Sequence, residues 1–229
     1  IEEGVKIVFT SAGNPKTWTS FLKEKGITVV HVVSSVKFAL KAELAGVDAV
    51  VCEGFEAGGH NGREETTTFT LIPMVKEQVK IPVIAAGGIG SGRGMLAAMV
   101  LGADGVQIGS RFAATDESSA HQNFKNSIIE VKDGDTHLTL KELAPVRLVK
   151  NKFYKEVQEL YKTQPTVTQL KELLGRARAK KGMFEGDLDN GELEIGQIAG
   201  LIHEIKPAKV VLNEIIDDYN AVKSMVFSV

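Results

Sequence analysis

The chain has 229 residues, and its 27 lysines and arginines nearly balance its 29 aspartates and glutamates, for a net charge of −2. This mixed charge argues against a nucleic-acid-binding surface. No apolar run is long enough to span a bilayer and no signal peptide is recognisable, so we expect a cytoplasmic protein without a membrane partner. The single cysteine, Cys52, lies in a strand-like run and is predicted to be a small core residue.

Five strand-then-helix repeats occupy residues 1–114. The strands are predicted at 5–10, 27–33, 48–52, 81–86 and 106–109. Such repeats are the pattern of a parallel sheet or barrel. We therefore predict an α/β fold of the (β/α)8 TIM-barrel family, with only the last five strand units in this chain. An open doubly wound sheet is the alternative.

The remaining residues have a different pattern. Residues 115–195 are predicted to be a helical subdomain, with helices at 116–132, 138–150, 152–162 and 166–181. Residues 196–229 are predicted to be C-terminal helices that pack back on the barrel, and the helical spacing runs from about 194 to 205 and from 207 to 226. A closed parallel barrel needs eight strands, so we expect a fragment of a longer protein. Uncovered sheet edges favour a homodimer.

Residues 81–112 carry the first functional signal. The fourth strand ends in Gly87 and Gly88, the fifth ends in Gly109, and Ser91 can cap the helix between them. Glycine lets backbone N–H groups face a ligand, and the last two βα turns of a barrel commonly bind phosphate. Because the spacing is not that of a dinucleotide fingerprint, we predict a mononucleotide phosphate site. The alternative is that the glycines only form tight turns.

The loop at 53–67 carries the second signal. His60 is flanked by Gly58, Gly59 and Gly62, so its imidazole has space around it and can exchange a proton near neutral pH. A merely solvated histidine is the alternative. The other four histidines are expected to be structural or exposed. No cluster of histidine, cysteine and acidic residues has metal-ligand spacing, so no metal site is predicted.

Three motifs together resemble the nitronate monooxygenase family, which includes the flavin-type enoyl-[acyl-carrier-protein] reductases. They are EGFEAGGH ending at His60, IPVIAAGGI beginning at Ile81, and QIGSRF beginning at Gln107. GQIAG at 196–200 also matches a late family segment, and the similarity covers nearly the whole chain. The Gly-Gly turn alone is shared with other phosphate-binding barrels such as inosine monophosphate dehydrogenase.

The resemblance implies FMN at the mouth of a barrel, with His60 as the catalytic base for the substrate α-proton. The FMN phosphate would contact the glycine turns after the fourth and fifth predicted strands. Other matched positions would line the flavin, and residues 11–14 lie at the end of a strand that faces it. The implied cofactor-binding residues are Glu53, Gly58, Gly87, Gly88, Gln107, Ile108, Gly109 and Ser110. The family's first flavin-binding turn, of Gly-Gly-Met type, has no counterpart in this sequence, so we expect this chain alone to bind FMN weakly or not at all.

Three functions follow from the resemblance. The first is an FMN-dependent oxidoreductase that oxidises alkyl nitronates with oxygen. The second is an enoyl-[acyl-carrier-protein] reductase with NAD(P)H as co-substrate, which an assay with a crotonyl thioester would distinguish. The third is an inactive FMN- or phosphate-binding fragment, which a flavin absorbance spectrum would test. A nucleotide dehydrogenase would need a loop cysteine, whereas Cys52 precedes the loop.

Overall fold

The computed structural model describes residues 1–227 and contains two sheets. The larger sheet has five parallel strands, in the order β1-β2-β3-β5-β6, and the smaller has three strands, in the order β4-β8-β7. The strands are β1 (Ile7–Thr10), β2 (Thr28–Val33), β3 (Ala49–Glu53), β4 (Gly59–His60), β5 (Val83–Ala86), β6 (Gly105–Gln107), β7 (Thr136–Thr139) and β8 (Val146–Val149). All five predicted parallel strands are confirmed.

The order of the large sheet distinguishes the two predicted architectures. Its neighbouring strands follow one another along the chain. The only strand between β3 and β5 in the sequence is the short strand β4, which belongs to the other sheet. A doubly wound sheet instead reverses its strand order at a switch point. The sheet is therefore a curled parallel half-barrel, and the doubly wound alternative is wrong.

The main core lies between the large sheet and the helices on its outer face. These helices are α1 (Thr19–Glu24), α2 (Val36–Leu44), α3 (Thr68–Lys76) and α4 (Gly92–Val100). Val50 and Val83 point into this core and are fully buried. Cys52 is also fully buried there, and burial raises the pKa of its thiol to about 12. The prediction that Cys52 is a core residue is confirmed, and its thiol stays protonated near neutral pH.

The helices after β6 are α5 (Ser110–Ala113), α6 (Gln122–Glu130), α7 (Lys152–Tyr161), α8 (Val167–Leu174) and α9 (Ala208–Phe227). Those predicted at 116–132 and 166–181 are shorter in the structure, whereas those predicted at 152–162 and 207–226 lie within one residue of the predicted bounds. A π-helical turn covers Lys180–Phe184, and a 3₁₀ helix covers Gln197–Leu201. Helix α9 lies against α4, where the Arg93 amide donates to Asp218 Oδ2 at 2.8 Å. Within residues 1–227, no helix is long and apolar enough to cross a membrane.

The helix predicted at 138–150 is wrong, because this segment contributes to an antiparallel hairpin. Strands β7 and β8 pair directly, and β4 from the predicted loop adds a third strand to β8. Arg147 in β8 is 2% exposed, and its guanidinium donates to the Phe55 carbonyl at 3.0 and 3.2 Å. This non-local contact fixes the hairpin against the half-barrel, so residues 115–195 are not wholly helical. The domain boundaries stay a prediction.

Candidate active site

The carboxyl ends of β3, β5 and β6 surround a cavity of about 280 Å³, here called the glycine cavity. Seven of the predicted cofactor residues line it: Glu53, Gly58, Gly87, Gly88, Gln107, Gly109 and Ser110. The remaining one, Ile108, packs its side chain against the main core instead. The structure thus brings together two turns and a loop that are up to 57 residues apart, from Glu53 to Ser110.

Backbone geometry explains the glycines of the β5 turn. Gly87 and Gly88 have φ angles of +90° and +72°, in the left-handed region that favours glycine. A Cβ on Gly87 would also lie 2.8 Å from the Gly54 carbonyl oxygen. A side chain at either position would therefore strain the β5 turn.

The glycine cavity has the donors and the space that a phosphate group needs. A Cβ on Gly109 would meet nothing within 4 Å, so the turn after β6 leaves open space. Within residues 1–227, the backbone amides of Gly88 and Gly109 donate no hydrogen bond. Unpaired N–H groups beside an open space suit an anion. These residues fit the phosphate of FMN.

A late segment of the chain closes the glycine cavity. The Gly196 amide donates to Ser110 Oγ at 3.0 Å, and the Gln197 amide donates to the Glu56 carbonyl at 2.9 Å. Three apolar side chains, from Met183, Ile195 and Ile198, also line it. The sequence reasoning matched the 196–200 motif to a family but did not place it in the site.

Glu53, the last residue of β3, joins the glycine cavity to a neighbouring cavity of about 380 Å³. Burial raises the pKa of the Glu53 carboxyl to about 7. A carboxyl group with that pKa can hold or release a proton at neutral pH.

His60 lies beside the glycine cavity rather than in it. It belongs to β4, opposite Val146, so the predicted loop at 53–67 is interrupted by a short strand. Its exposed imidazole lines the 380 Å³ cavity together with Glu53. The Asn61 side-chain amide donates to the carbonyls of Ala57 and Gly59 at 2.9 and 3.0 Å, which holds the backbone before His60.

His31 also lines the 380 Å³ cavity, and sequence reasoning did not assign it to the site. It lies in β2, is 6% exposed, and its Nδ1 is 2.7 Å from Thr10 Oγ1. Burial lowers the pKa of His31, and the charge of Lys41 lowers it further. The imidazole is therefore neutral at neutral pH.

Sequence reasoning also missed Glu192 and Glu194. They alternate with Leu193 and Ile195, which are buried in a small core formed with α6. Alternation of this kind is typical of an extended segment with two faces, and it is the signal that could have identified both acids. The helix expected from 194 is absent at Glu194, and a 3₁₀ helix starts only at Gln197.

Glu194 lies between the glycine cavity, a third cavity and the strand β4. It lines both the glycine cavity and a third cavity of about 190 Å³, which His60 also lines. A Cβ on Gly59 would lie 2.7 Å from Glu194 Oε2, so the carboxylate packs directly against β4. Burial raises the pKa of Glu194, and the charge of His60 partly opposes that effect. Among residues 1–227, no group of three or more potential ligand side chains could hold a metal ion.

A curled parallel half-barrel with a glycine-lined cavity at the carboxyl ends of its strands defines a TIM-barrel type of enzyme fold. The sequence profile described as nitronate monooxygenase matches residues 1–218, and the chain belongs to that family.

Among its curated relatives are two proteins described as probable nitronate monooxygenases. The one from Staphylococcus saprophyticus is 39% identical over 196 residues, which are 80% of this chain and 55% of the relative. The one from Bacillus subtilis is 37% identical over 216 residues, or 90% of this chain and 62% of the relative. The chain therefore spans little more than half the length of these relatives.

Two of the solved structures that resemble this chain each align with nearly all of it. FabK from Thermotoga maritima is 43% identical, with a TM-score of 0.92 over 99% of this chain and 71% of that protein. A nitroalkane oxidase from Streptomyces ansochromogenes is 27% identical, with a TM-score of 0.80 over 98% of this chain and 67% of that protein. The similarity includes the segment 115–195, in which the strands β7 and β8 lie.

Proposed function

We propose that this chain functions as an FMN-dependent oxidoreductase of the nitronate monooxygenase type, which oxidises alkyl nitronates with oxygen. The observation that carries the proposal is the pair of unpaired amides, at Gly88 and Gly109, in a cavity that shares Glu53 with the cavity of His60. Membership of the nitronate monooxygenase family supports the same reaction class.

Each group of residues has a role in this proposal. Gly87, Gly88, Gln107, Gly109 and Ser110 hold the phosphate of FMN, and Ile108 contributes only its backbone. Glu53 and Gly58 line the flavin, while the apolar side chains that close the glycine cavity exclude water from it. When bound, FMN supplies the two-electron chemistry of the reaction.

His60 is the proposed base and takes the α-proton of the substrate at an imidazole nitrogen. Its side chain carries no hydrogen bond to residues 1–227, so the imidazole is free to accept that proton. The 380 Å³ cavity gives the substrate a place between His60 and Glu53. The Glu53 carboxyl orients the substrate or exchanges a proton with it, and its pKa of about 7 suits either role.

The test compares two variants of the FMN-loaded protein. His60→Asn is expected to lower turnover of 2-propylnitronate by about a hundredfold while leaving the flavin absorbance bands intact, because a general base contributes on that order. His203→Asn changes an exposed histidine outside the three cavities and is expected to leave turnover unchanged. Equal activity of His60→Asn and the wild type would show that His60 is not the base.

The same preparation distinguishes the alternative functions. Consumption of NAD(P)H with a crotonyl thioester, without oxidation of nitronate, would favour an enoyl reductase. Flavin absorbance without either activity would leave a non-catalytic FMN-binding chain. No flavin absorbance after loading would contradict the flavoprotein proposal itself.

A further inference from the structure

The 190 Å³ cavity beside His60, here called the acidic cavity, has apolar walls and carboxylates on one side. The walls come from the β7–β8 connection and from the segment after α8, with Leu140, Val146 and Leu174 among them. The charged groups that line it are Glu192, Glu194 and Arg178, and His60 is the remaining titratable group. An elongated apolar ligand with one charged end would match these surroundings.

Glu192 is the unusual residue of the acidic cavity. It is only 6% exposed, and its carboxylate forms no hydrogen bond or ion pair with any group in residues 1–227. Burial and the charge of Glu194 raise the pKa of Glu192 to about 7, and the charge of Arg178 partly opposes them. Within residues 1–227, Thr139 Oγ1 is the only fully buried side-chain polar atom without a partner, so the Glu192 carboxylate is not sealed inside the protein. It opens into the acidic cavity with its acceptor capacity unused.

Arg178 is close to Glu192 but is engaged elsewhere. Its guanidinium donates to the carbonyls of Leu173, Leu174 and Asn190, each at 2.7 Å. It also stacks over the Phe153 ring, 4.3 Å from the ring centroid. The two carboxylates and the one guanidinium leave one uncompensated negative charge when both acids are ionised. One positive charge on a ligand would balance it.

We propose that the acidic cavity binds the ammonium end of an aliphatic primary amine, and that the substrate deprotonated by His60 carries this group. Glu192 and Glu194 accept hydrogen bonds from the ammonium, and the apolar walls contact the methylene chain. A volume of 190 Å³ gives room for about six water-sized groups, enough for a chain of a few carbons. The role of His60 in this inference rests on the proposed function, whereas ammonium binding does not.

The first experiment measures binding without flavin or turnover. The protein is titrated with n-butylammonium at pH 8, and binding is followed by calorimetry and by the ring-proton NMR signal of His60. We expect saturable binding that shifts this signal, and at least tenfold weaker binding of n-butanol, which lacks the charge. Equal binding of n-butanol, or no saturable binding, would overturn the proposal.

Variants assign the binding to the carboxylates. Glu192→Gln keeps the shape of the side chain and is expected to weaken n-butylammonium binding at least tenfold. Glu185→Gln removes one charge from the stretch between α8 and the 3₁₀ helix, which also contains Glu192. Because Glu185 lies outside the acidic cavity, this variant is expected to have no effect. Circular dichroism verifies the fold, and Glu194→Gln replaces Glu192→Gln if the latter does not fold. Unchanged binding by a folded variant at Glu192 or Glu194 would overturn the assignment.

A second experiment distinguishes a substrate from a separate amine ligand. The FMN-loaded protein is assayed with the nitronates of 4-nitrobutylamine and of 1-nitropentane, which differ in the terminal charge. We expect kcat/KM to favour the amine at least tenfold and Glu192→Gln to abolish that preference. Ammonium binding without this preference would overturn the substrate part. Absence of all nitronate turnover would instead contradict the proposed function, and the binding result would stand separately.

Discussion

The glycine cavity and the acidic cavity share Glu194 but are built from different parts of the chain. Backbone groups of consecutive βα turns form much of the first, including the amides of Gly88 and Gly109. Side chains from the hairpin, the segment after α8 and the residues around Glu192 form the second. Ligand binding in the glycine cavity should therefore respond to added side-chain atoms, and the properties of the acidic cavity should respond to removal of a charged group.

The largest expected effect comes from placing a negative charge in the glycine cavity. Gly109→Asp is compatible with the backbone, because φ is −96° and a Cβ there has open space. Its carboxylate would repel the FMN phosphate, so we expect saturable FMN binding to be lost up to millimolar concentration. Flavin fluorescence quenching measures the affinity.

Gly109→Asn is the matched control, because it adds the same number of heavy atoms without the charge. We expect it to weaken FMN binding much less than Gly109→Asp does. Equal losses in both variants would mean that space, rather than phosphate charge, determines binding at Gly109.

Removing the buried charge of the acidic cavity should stabilise the protein. Glu192 has a pKa of about 7 in the folded state against 4.5 ordinarily, so unfolding becomes progressively easier as pH rises through this interval. Above pH 7, Glu192→Gln should raise the free energy of unfolding by on the order of 3 kcal/mol, since each pKa unit corresponds to about 1.4 kcal/mol. Near pH 4.5 the difference should vanish.

Urea denaturation at pH 4.5, 6 and 8 measures this dependence on pH. Glu185→Gln provides the control, because the Glu185 side chain is 54% exposed and paired with Lys180. A constant difference between wild type and Glu192→Gln at all three pH values would contradict an unpaired buried carboxylate.

A smaller effect is expected beside His60. Asn61→Ala removes two hydrogen bonds to the carbonyls of Ala57 and Gly59, and such bonds contribute about 1 kcal/mol each. We expect a loss of about 1 to 2 kcal/mol in the free energy of unfolding, with reduced nitronate turnover. Urea denaturation and oxygen consumption measure the two effects.

Asn213→Ala, at an exposed position of α9, is the corresponding control and should lower neither quantity, because alanine favours the helix. Wild-type stability and turnover in Asn61→Ala would show that the loop before His60 is held by other contacts.

The sequence predicted the glycine cavity more completely than the acidic cavity, for a physical reason. Gly87, Gly88 and Gly109 follow strands that are recognisable as local apolar runs, and parallel strands bring their carboxyl ends to one edge. Glu192 reaches the acidic cavity only through packing of its neighbours Leu193 and Ile195 against α6. The alternation of acidic and apolar residues indicates an extended segment with two faces, but no local pattern specifies which distant elements this segment contacts.

The wrong prediction of a helix at 138–150 has the same physical cause. Over so short a segment its apolar residues fit both the helical and the strand period, and the hairpin is specified by contacts with distant residues. Arg147 donates to the Phe55 carbonyl, and β4 pairs with β8 across more than eighty residues, as from His60 to Val146. Only the folded chain shows this sheet, which carries His60.

The most direct test of the central claim compares FMN with riboflavin, which lacks the phosphate. Both are titrated into the wild-type protein up to millimolar concentration, because binding by this chain alone is expected to be weak. If the glycine cavity binds the phosphate, FMN should bind at least tenfold more tightly than riboflavin, and inorganic phosphate should compete with FMN. Equal affinities for the two flavins, without competition by phosphate, would contradict the account.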